Sequence, residues 1–249
     1  MSAVVLEAKG LQKSFGAVVA AKDVNVKVAP AARLSLIGAN GAGKTTFVNM
    51  VTGYLKPDAG QILLDGKEIT GLAPRRITRA GVCRSFQIPQ LCETMTPVEN
   101  VLVSLEIAAG GASFFRPARR RETLDRAREV LERFGLTEFA DRPVNVLPGG
   151  VRKLIDIAMS LAIHPRVLLL DEPTSGVASE EKFPLMDRVM AALEGEKAAV
   201  IFVEHDMDIV TRYADRVLAF YSGEIIADDP PEAVLSDPAV QKYVTGTRK

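Results

Sequence analysis

Cysteine is scarce in this chain and neither sign of charge predominates: its 249 residues include two cysteines, 31 basic and 31 acidic side chains. The cysteines, Cys83 and Cys92, follow no signal-like N-terminal stretch, which argues against a disulfide-stapled secreted domain and for reduced thiols in a cytosol. Zero formal net charge and a pI near 6.8 give no global attraction to nucleic acid, so no such partner is expected, and only a local basic patch would supply one. Long apolar runs are missing too. Those at 167–170 and 198–203 fall far short of the ~20 residues that span a bilayer, so any membrane role comes through a partner.

What the chain does have is a globular balance, 47% hydrophobic and 25% charged, enough for a substantial core in one large domain or two small ones. It is organised around residues 33–46, RLSLIGANGAGKTT. From Gly38 to Thr45 this matches the phosphate-binding loop G-x-x-x-x-G-K-[ST]. Gly38, Gly41 and Gly43 lack a Cβ, so the backbone can take positive φ and turn N–H groups onto phosphate oxygens. The helix expected after the loop aims its positive N-terminal end at the same place. Lys44 then suits the β/γ-phosphates, and the Thr45 hydroxyl suits Mg²⁺. A glycine-rich turn with a stray lysine is the bland reading, and the buried strand before the loop and the helix after it argue against that.

Residues 4–28 read as extended structure, with Val24, Val26 and Val28 alternating against Asn25 and Lys27. Asp65-Gly66 between QILL and KEI predicts a type I′ hairpin, hence an antiparallel flank. Gly53 and Pro57 end the helix begun near Lys44. Over residues 88–160 the strand pattern fades, and Leu124, Ala127, Leu131 and Phe134 share one helical face, which predicts a helical insertion. Its Arg119, Arg120 and Arg121 read as solvated surface before they read as a binding patch. Strand patterns return at 167–170, 199–203 and 216–220 between helical segments, predicting a mainly parallel sheet, and 230–249 reads as short helices and turns.

The second strong element is RVLLLDEPTSG at 166–176, an apolar strand that delivers Asp171 and Glu172 to its C-terminal end, where ligands of open α/β sheets sit. Asp171 is then placed to hold Mg²⁺, and Glu172 to polarise the water that attacks a γ-phosphate. An acidic pair at a strand end is often only a solvated turn, but the phosphate loop earlier in the chain favours chemistry.

In order, GANGAGKT, Gln87 within SFQIPQ, LPGGV at 147–151, LLLDEPTSG and Glu204-His205-Asp206 resemble an ABC transporter ATP-binding subunit over nearly the whole chain. FQIPQL, MTPVENV, the Arg-rich helix, a signature beginning Leu-Pro, and VEHDMDIV are similar to the branched-chain amino-acid transporter type. The resemblance implies one α/β cassette over residues 1–249. Its P-loop NTPase (RecA-like) core would be residues 1–87 and 161–249, with a mainly parallel sheet and an antiparallel β flank, and a helical subdomain at 88–160.

The resemblance also implies roles. ATP with Mg²⁺ would bind on Gly38, Asn40, Gly41, Ala42, Gly43, Lys44, Thr45 and Thr46, with Phe15 on the adenine and Thr45, Gln87 and Asp171 toward the metal. Glu172, His205 and Gln87 would serve hydrolysis, His205 contacting the γ-phosphate and Gln87 sensing it and coupling to the membrane subunit. Pro148, Gly149 and Gly150 would close on ATP held by the other subunit of a dimer. Expected partners are integral membrane permease subunits, a second ATP-binding subunit, identical or not, and, indirectly, a periplasmic solute-binding protein. The place would be the cytoplasmic face of the inner membrane, peripherally, and the cargo branched-chain amino acids or related small polar solutes. Each also has a bland reading, Phe15 as core, Gln87 as a loop amide and His205 as structural, and chain position rather than residue type decides against it.

Two departures stand out. The usual Leu-Ser-Gly-Gly-Gln signature is Leu147-Pro148-Gly149-Gly150-Val151, and the loop after Thr174, which commonly ends in Asp, ends in Ala178. The rival readings are a soluble ABC ATPase of ribosomes or DNA, which usually carries two cassettes or long insertions, and a P-loop kinase or GTPase. The Asn-Lys-x-Asp motif of a GTPase does not occur.

Overall fold

The computed structural model describes residues 4–109 and 121–246, and the chain divides into two compact units. The first comprises Met1–Cys83, Arg166–Glu172 and Lys197–Lys249; the second, Arg84–Pro165 and Pro173–Glu196.

In the first unit the valine alternation becomes β2 (Val18–Val28), antiparallel to β1 (Leu6–Phe15), which in turn pairs with β4 (Ala59–Leu64) and β4 with β5 (Lys67–Glu68). Asp65 and Gly66 turn that last hairpin with φ 47° and 75°, both positive as a type I′ turn requires. The second sheet runs β10-β9-β3-β8-β7-β6, from β10 (Glu224–Asp229), β9 (Arg216–Tyr221), β3 (Arg33–Ile37), β8 (Ala199–Val203) and β7 (Val167–Asp171) to β6 (Val82–Ser85), which leaves the unit after Cys83. β9, β3, β8 and β7 are mutually parallel, and β10 is antiparallel to β9. All five residues of β8 and four of β7 are buried, as expected of parallel strands covered on both faces.

Side-chain alternation assigns the faces. Leu34, Leu36, Leu218 and Phe220 join the antiparallel flank and α1 (Lys44–Val51) in one core, where Phe47 and Phe220 meet with ring centroids 5.9 Å apart. Ile37, Val217 and Ala219 pack on the other face with Val210 of α7 (Met207–Tyr213), Val234 of α8 (Pro231–Ser236) and Val240 of α9 (Pro238–Val240). α2 (Pro74–Ala80) completes the unit. The strands β6 and β10 went unread in the sequence, the first because it is only four residues long and the second because its face is half-exposed and carries no alternation.

The second unit is helical. α3 (Pro97–Ala108) opens with a capping box in which Thr96 Oγ1 accepts from the Glu99 N–H at 3.3 Å and Glu99 Oε2 accepts from the Thr96 N–H at 2.9 Å. On α4 (Arg121–Arg133), Ala127 and Leu131 are buried as their spacing predicts, with Phe134 just beyond; Arg119 and Arg120 lie outside the described residues. α5 (Gly149–Leu161) and α6 (Ser179–Ala192) complete it, α6 with Pro184 inside.

Both cysteines are free thiols, Cys83 buried and Cys92 exposed, and burial pushes the Cys83 thiol up to about 12. At pH 8 a thiol titrating there is thiolate only about once in 10⁴ molecules. Iodoacetamide at that pH is therefore expected to alkylate Cys92 in the native protein and to reach Cys83 only after denaturation, as peptide mass spectrometry would read; native labelling of Cys83 at a matching rate would contradict the packing of β6.

Candidate functional site

Strand register builds the site. β3 pairs with β8 so that Leu36 lies opposite Val203, and β8 pairs with β7 so that Val203 lies opposite Asp171. Three parallel strands therefore end level, and the chain leaves β3 one residue later into the loop at Gly38. The Glu172 N–H continues the ladder to the Val203 carbonyl at 3.1 Å. Its own backbone is left-handed, φ 47°, a conformation that costs a non-glycine residue about 1–2 kcal/mol. Turned this way, Glu172 Oε1 lies 3.1 Å from His205 Nε2. Its neighbour Glu204 is buried, and one of its carboxylate oxygens accepts the His205 N–H at 3.2 Å.

The phosphate loop has left-handed backbone at Gly38, Gly41 and Gly43. A Cβ on Gly38 would lie 2.5 Å from the Phe220 carbonyl oxygen, and one on Gly43 2.6 Å from that of Ala20. Packing against β9 and β2 thus demands these two glycines before any ligand is considered. A support absent from the sequence reading is the turn between β9 and β10, where Ser222 and Gly223 take φ 49° and 81° and the Gly223 N–H donates to the Ala42 carbonyl at 2.9 Å. The Ser-Gly dipeptide was the available signal.

Lys44 opens α1 and is 5% exposed, its Nζ donating to the Gly38 and Ala39 carbonyls. Burial holds its pKa below the ordinary lysine value, opposed by the Glu172 and Asp171 carboxylates. No side chain caps this helix, and Gly43 takes the cap position. Thr45, Ala39 and Asn40 are exposed and Thr46 is half-buried. Phe15, at the end of β1, is 51% exposed, so it is not core, and Lys13 Nζ stands 5.6 Å from its ring centroid.

The other predicted residues lie in the second unit. Gln87 follows β6 and is exposed. Pro148 is the N-cap of α5 and makes no side-chain cap bond, and the N–H groups of the helix's first turn start at exposed Gly149 and half-buried Gly150. Val151 lines a pocket of about 240 Å³ whose walls include Phe139, Leu154 and Leu185 together with the charged Glu138, Glu181 and Arg188. Ala178 caps α6 without a side-chain bond, at a cost of about 1 kcal/mol against an aspartate, and Glu180 and Glu181 in the first turn partly offset it through the helix dipole.

A family model described as ABC transporter matches residues 21–175. This chain belongs to the ABC transporter family. It is 38% identical over 253 aligned residues to a high-affinity branched-chain amino acid transport ATP-binding protein, BraF of Pseudomonas aeruginosa, with 99% of each chain covered. The corresponding LivG protein of Escherichia coli (strain K12) is 36% identical, again over 99% of each. The ADP conformation of MJ1267, an ATP-binding cassette of an ABC transporter, superposes with a TM-score of 0.85 at 32% identity, covering 95% of this chain and 96% of that one. The protein is therefore an ATP-binding, ATP-hydrolysing cassette of a class that dimerises and works with membrane permease components. Among the described residues no helix is long and apolar enough to cross a membrane.

The loop geometry sets an expectation for the nucleotide-free cassette. Gly38→Ala drives a Cβ against backbone and should cost about 1–3 kcal/mol as an overpacked site, on top of the cost of its positive φ. Gly41→Ala, with nothing within 4 Å of its Cβ, should cost only the left-handed conformation, about 1–2 kcal/mol. Urea denaturation of both variants reads the ranking, and equal midpoints would mean that Gly38 is not packed as described.

Proposed function

We propose that this cassette hydrolyses ATP to drive import of branched-chain amino acids, or related small polar solutes, through integral membrane permease subunits fed by a periplasmic solute-binding protein. The observation that carries the catalytic part is the level ending of β3, β8 and β7, with Glu172 held against His205 beside the phosphate loop. Likeness to the branched-chain transport proteins along the full chain supports the cargo class. In this reading the cassette is one functional domain, residues 1–249, with its helical subdomain at 88–160, lying peripherally at the cytoplasmic face of the inner membrane.

Phe15 stacks on the adenine, its exposed ring already faced by a cation. Backbone N–H groups from Gly38 to Thr46, through Asn40, Gly41, Ala42 and Gly43, surround the phosphates, and Lys44 exchanges its carbonyl partners for phosphate oxygens. Glu172 takes a proton from the attacking water, while His205, sharing a hydrogen bond with it, orients it and contacts the γ-phosphate. Mg²⁺ suits hard oxygen donors such as Thr45 and Asp171, which would hold it, with Gln87 as the further ligand that the family resemblance implies, and it would neutralise charge on the phosphates. Gly149 and Gly150, behind Pro148, present helix-end N–H groups to ATP on the opposite subunit. Pro148 removes a hydroxyl and Ala178 a carboxylate there, which favours a non-identical partner ATPase with a fuller signature.

Glu172→Gln should retain ATP affinity and lose at least about 100-fold in kcat, the low end of what a positioned base contributes. Lys44→Met should lose binding itself. At 100 times the dissociation constant, ATP should stabilise the unmutated chain by about 2.7 kcal/mol and the lysine variant not at all. Calorimetry and phosphate release measure these, and unimpaired turnover by Glu172→Gln would remove it as the base. Pairing has its own test: mixing this chain with a second, non-identical cassette should give ATPase activity well above the sum of the two, whereas full transport by this chain as a homodimer would end that idea.

A further inference from the structure

The backbone around Gln87 lacks regular structure once β6 ends at Ser85, yet it is thoroughly hydrogen-bonded, and the partners come from α5. Lys153, 3% exposed, donates through Nζ to the Phe86 carbonyl at 2.9 Å and the Gln87 carbonyl at 2.7 Å. Asp156, 5% exposed, accepts from Ser85 Oγ at 2.6 Å, the Phe86 N–H at 3.2 Å and the Gln90 N–H at 3.0 Å. Ser160 Oγ donates to the Arg84 carbonyl at 3.3 Å. Positions 153, 156 and 160 are spaced three and four apart, so they share one helical face. Further on, buried Asn100 of α3 accepts the Cys92 N–H at 2.8 Å and donates to the Cys92 carbonyl at 3.2 Å.

Two buried charges are an expensive way to hold a loop. Burial drives the Asp156 carboxyl above the usual carboxylate range, opposed by the Ser85 hydroxyl, the Gln90 N–H, the Lys153 charge and the Phe86 N–H. A segment needing only to be covered could be packed with apolar side chains at less cost. What the charges add is direction: a cation on two successive carbonyls and an anion on the N–H groups either side fix the peptide that carries Gln87. The same helix begins at Gly149 and Gly150.

We propose that Lys153 and Asp156 are positioning residues, clamping the Gln87 segment to the helix that presents the signature glycines so that the two move as one body. This rests on the role for Gln87 proposed above. In the full chain, Lys153→Met should speed amide exchange of residues 86–91 by at least about tenfold while the phosphate loop stays within about twofold. In the complex with its permeases and partner ATPase it should lower kcat by about tenfold with KM for ATP within about twofold, and Lys153→Arg, which keeps two donors, should restore both. Asp156→Asn, which keeps the shape but sets an amide against an N–H, gives the same readouts should Lys153→Met not fold. Unchanged exchange at 86–91 overturns the clamp. So does faster exchange with kcat intact, since the bonds would then be structural alone. Gln87→Ala should match Lys153→Met in kcat, and a fully active Gln87→Ala overturns the positioning role. Absence of ATPase from the unmutated complex is the separate signature of a wrong functional reading, and the exchange result stands apart from it.

Discussion

Everything at the nucleotide end depends on the register of three parallel strands. Ladder hydrogen bonds place Leu36, Val203 and Asp171 opposite one another, and a shift of one residue in either pairing would turn Asp171 to the other face of the sheet. Because β7 and β8 are buried on both faces, their register is tied to core packing. The chemistry inherits that precision. Lys44, Glu172 and His205 come from segments far apart in sequence, yet each lies within two residues of a strand end or at the first residue of a helix.

The cost of this arrangement appears as strain and desolvation. Glu172 keeps a left-handed backbone, Lys44 is buried with its pKa lowered by desolvation, and Gly38 and Gly43 give up side chains to let β9 and β2 close on the loop. The turn at Ser222-Gly223, whose N–H supports Ala42, shows that the C-terminal hairpin is part of the loop's foundation.

The second unit solves a different problem. The segment that follows β6 has no sheet partner, so its backbone groups are held by side chains, from Lys153, Asp156 and Ser160 at one end and Asn100 at the other. In the same unit Val151 lines a pocket of mixed character, with Phe139, Leu154 and Leu185 beside Glu138, Glu181 and Arg188.

Much was legible in the sequence because it was local. The phosphate loop needs glycine and lysine at fixed spacing, the Asp65-Gly66 turn needs two positive φ angles, and β7 and β8 must be continuously apolar, so each announces itself within a dozen residues. The strands read at 167–170, 199–203 and 216–220 stand where expected, as does the helix closed by Gly53. Other features were decided only in three dimensions. β6 and β10 are too short or too exposed to carry a pattern. That Phe15 stands half in solvent, that Glu172 meets His205, and that Lys153 and Asp156 turn their charges inward onto a loop 66 to 70 residues away are facts of tertiary placement. A buried charged pair on an apolar helix looks in sequence like any solvated pair, because what separates the two is the partner backbone, and no local pattern names it.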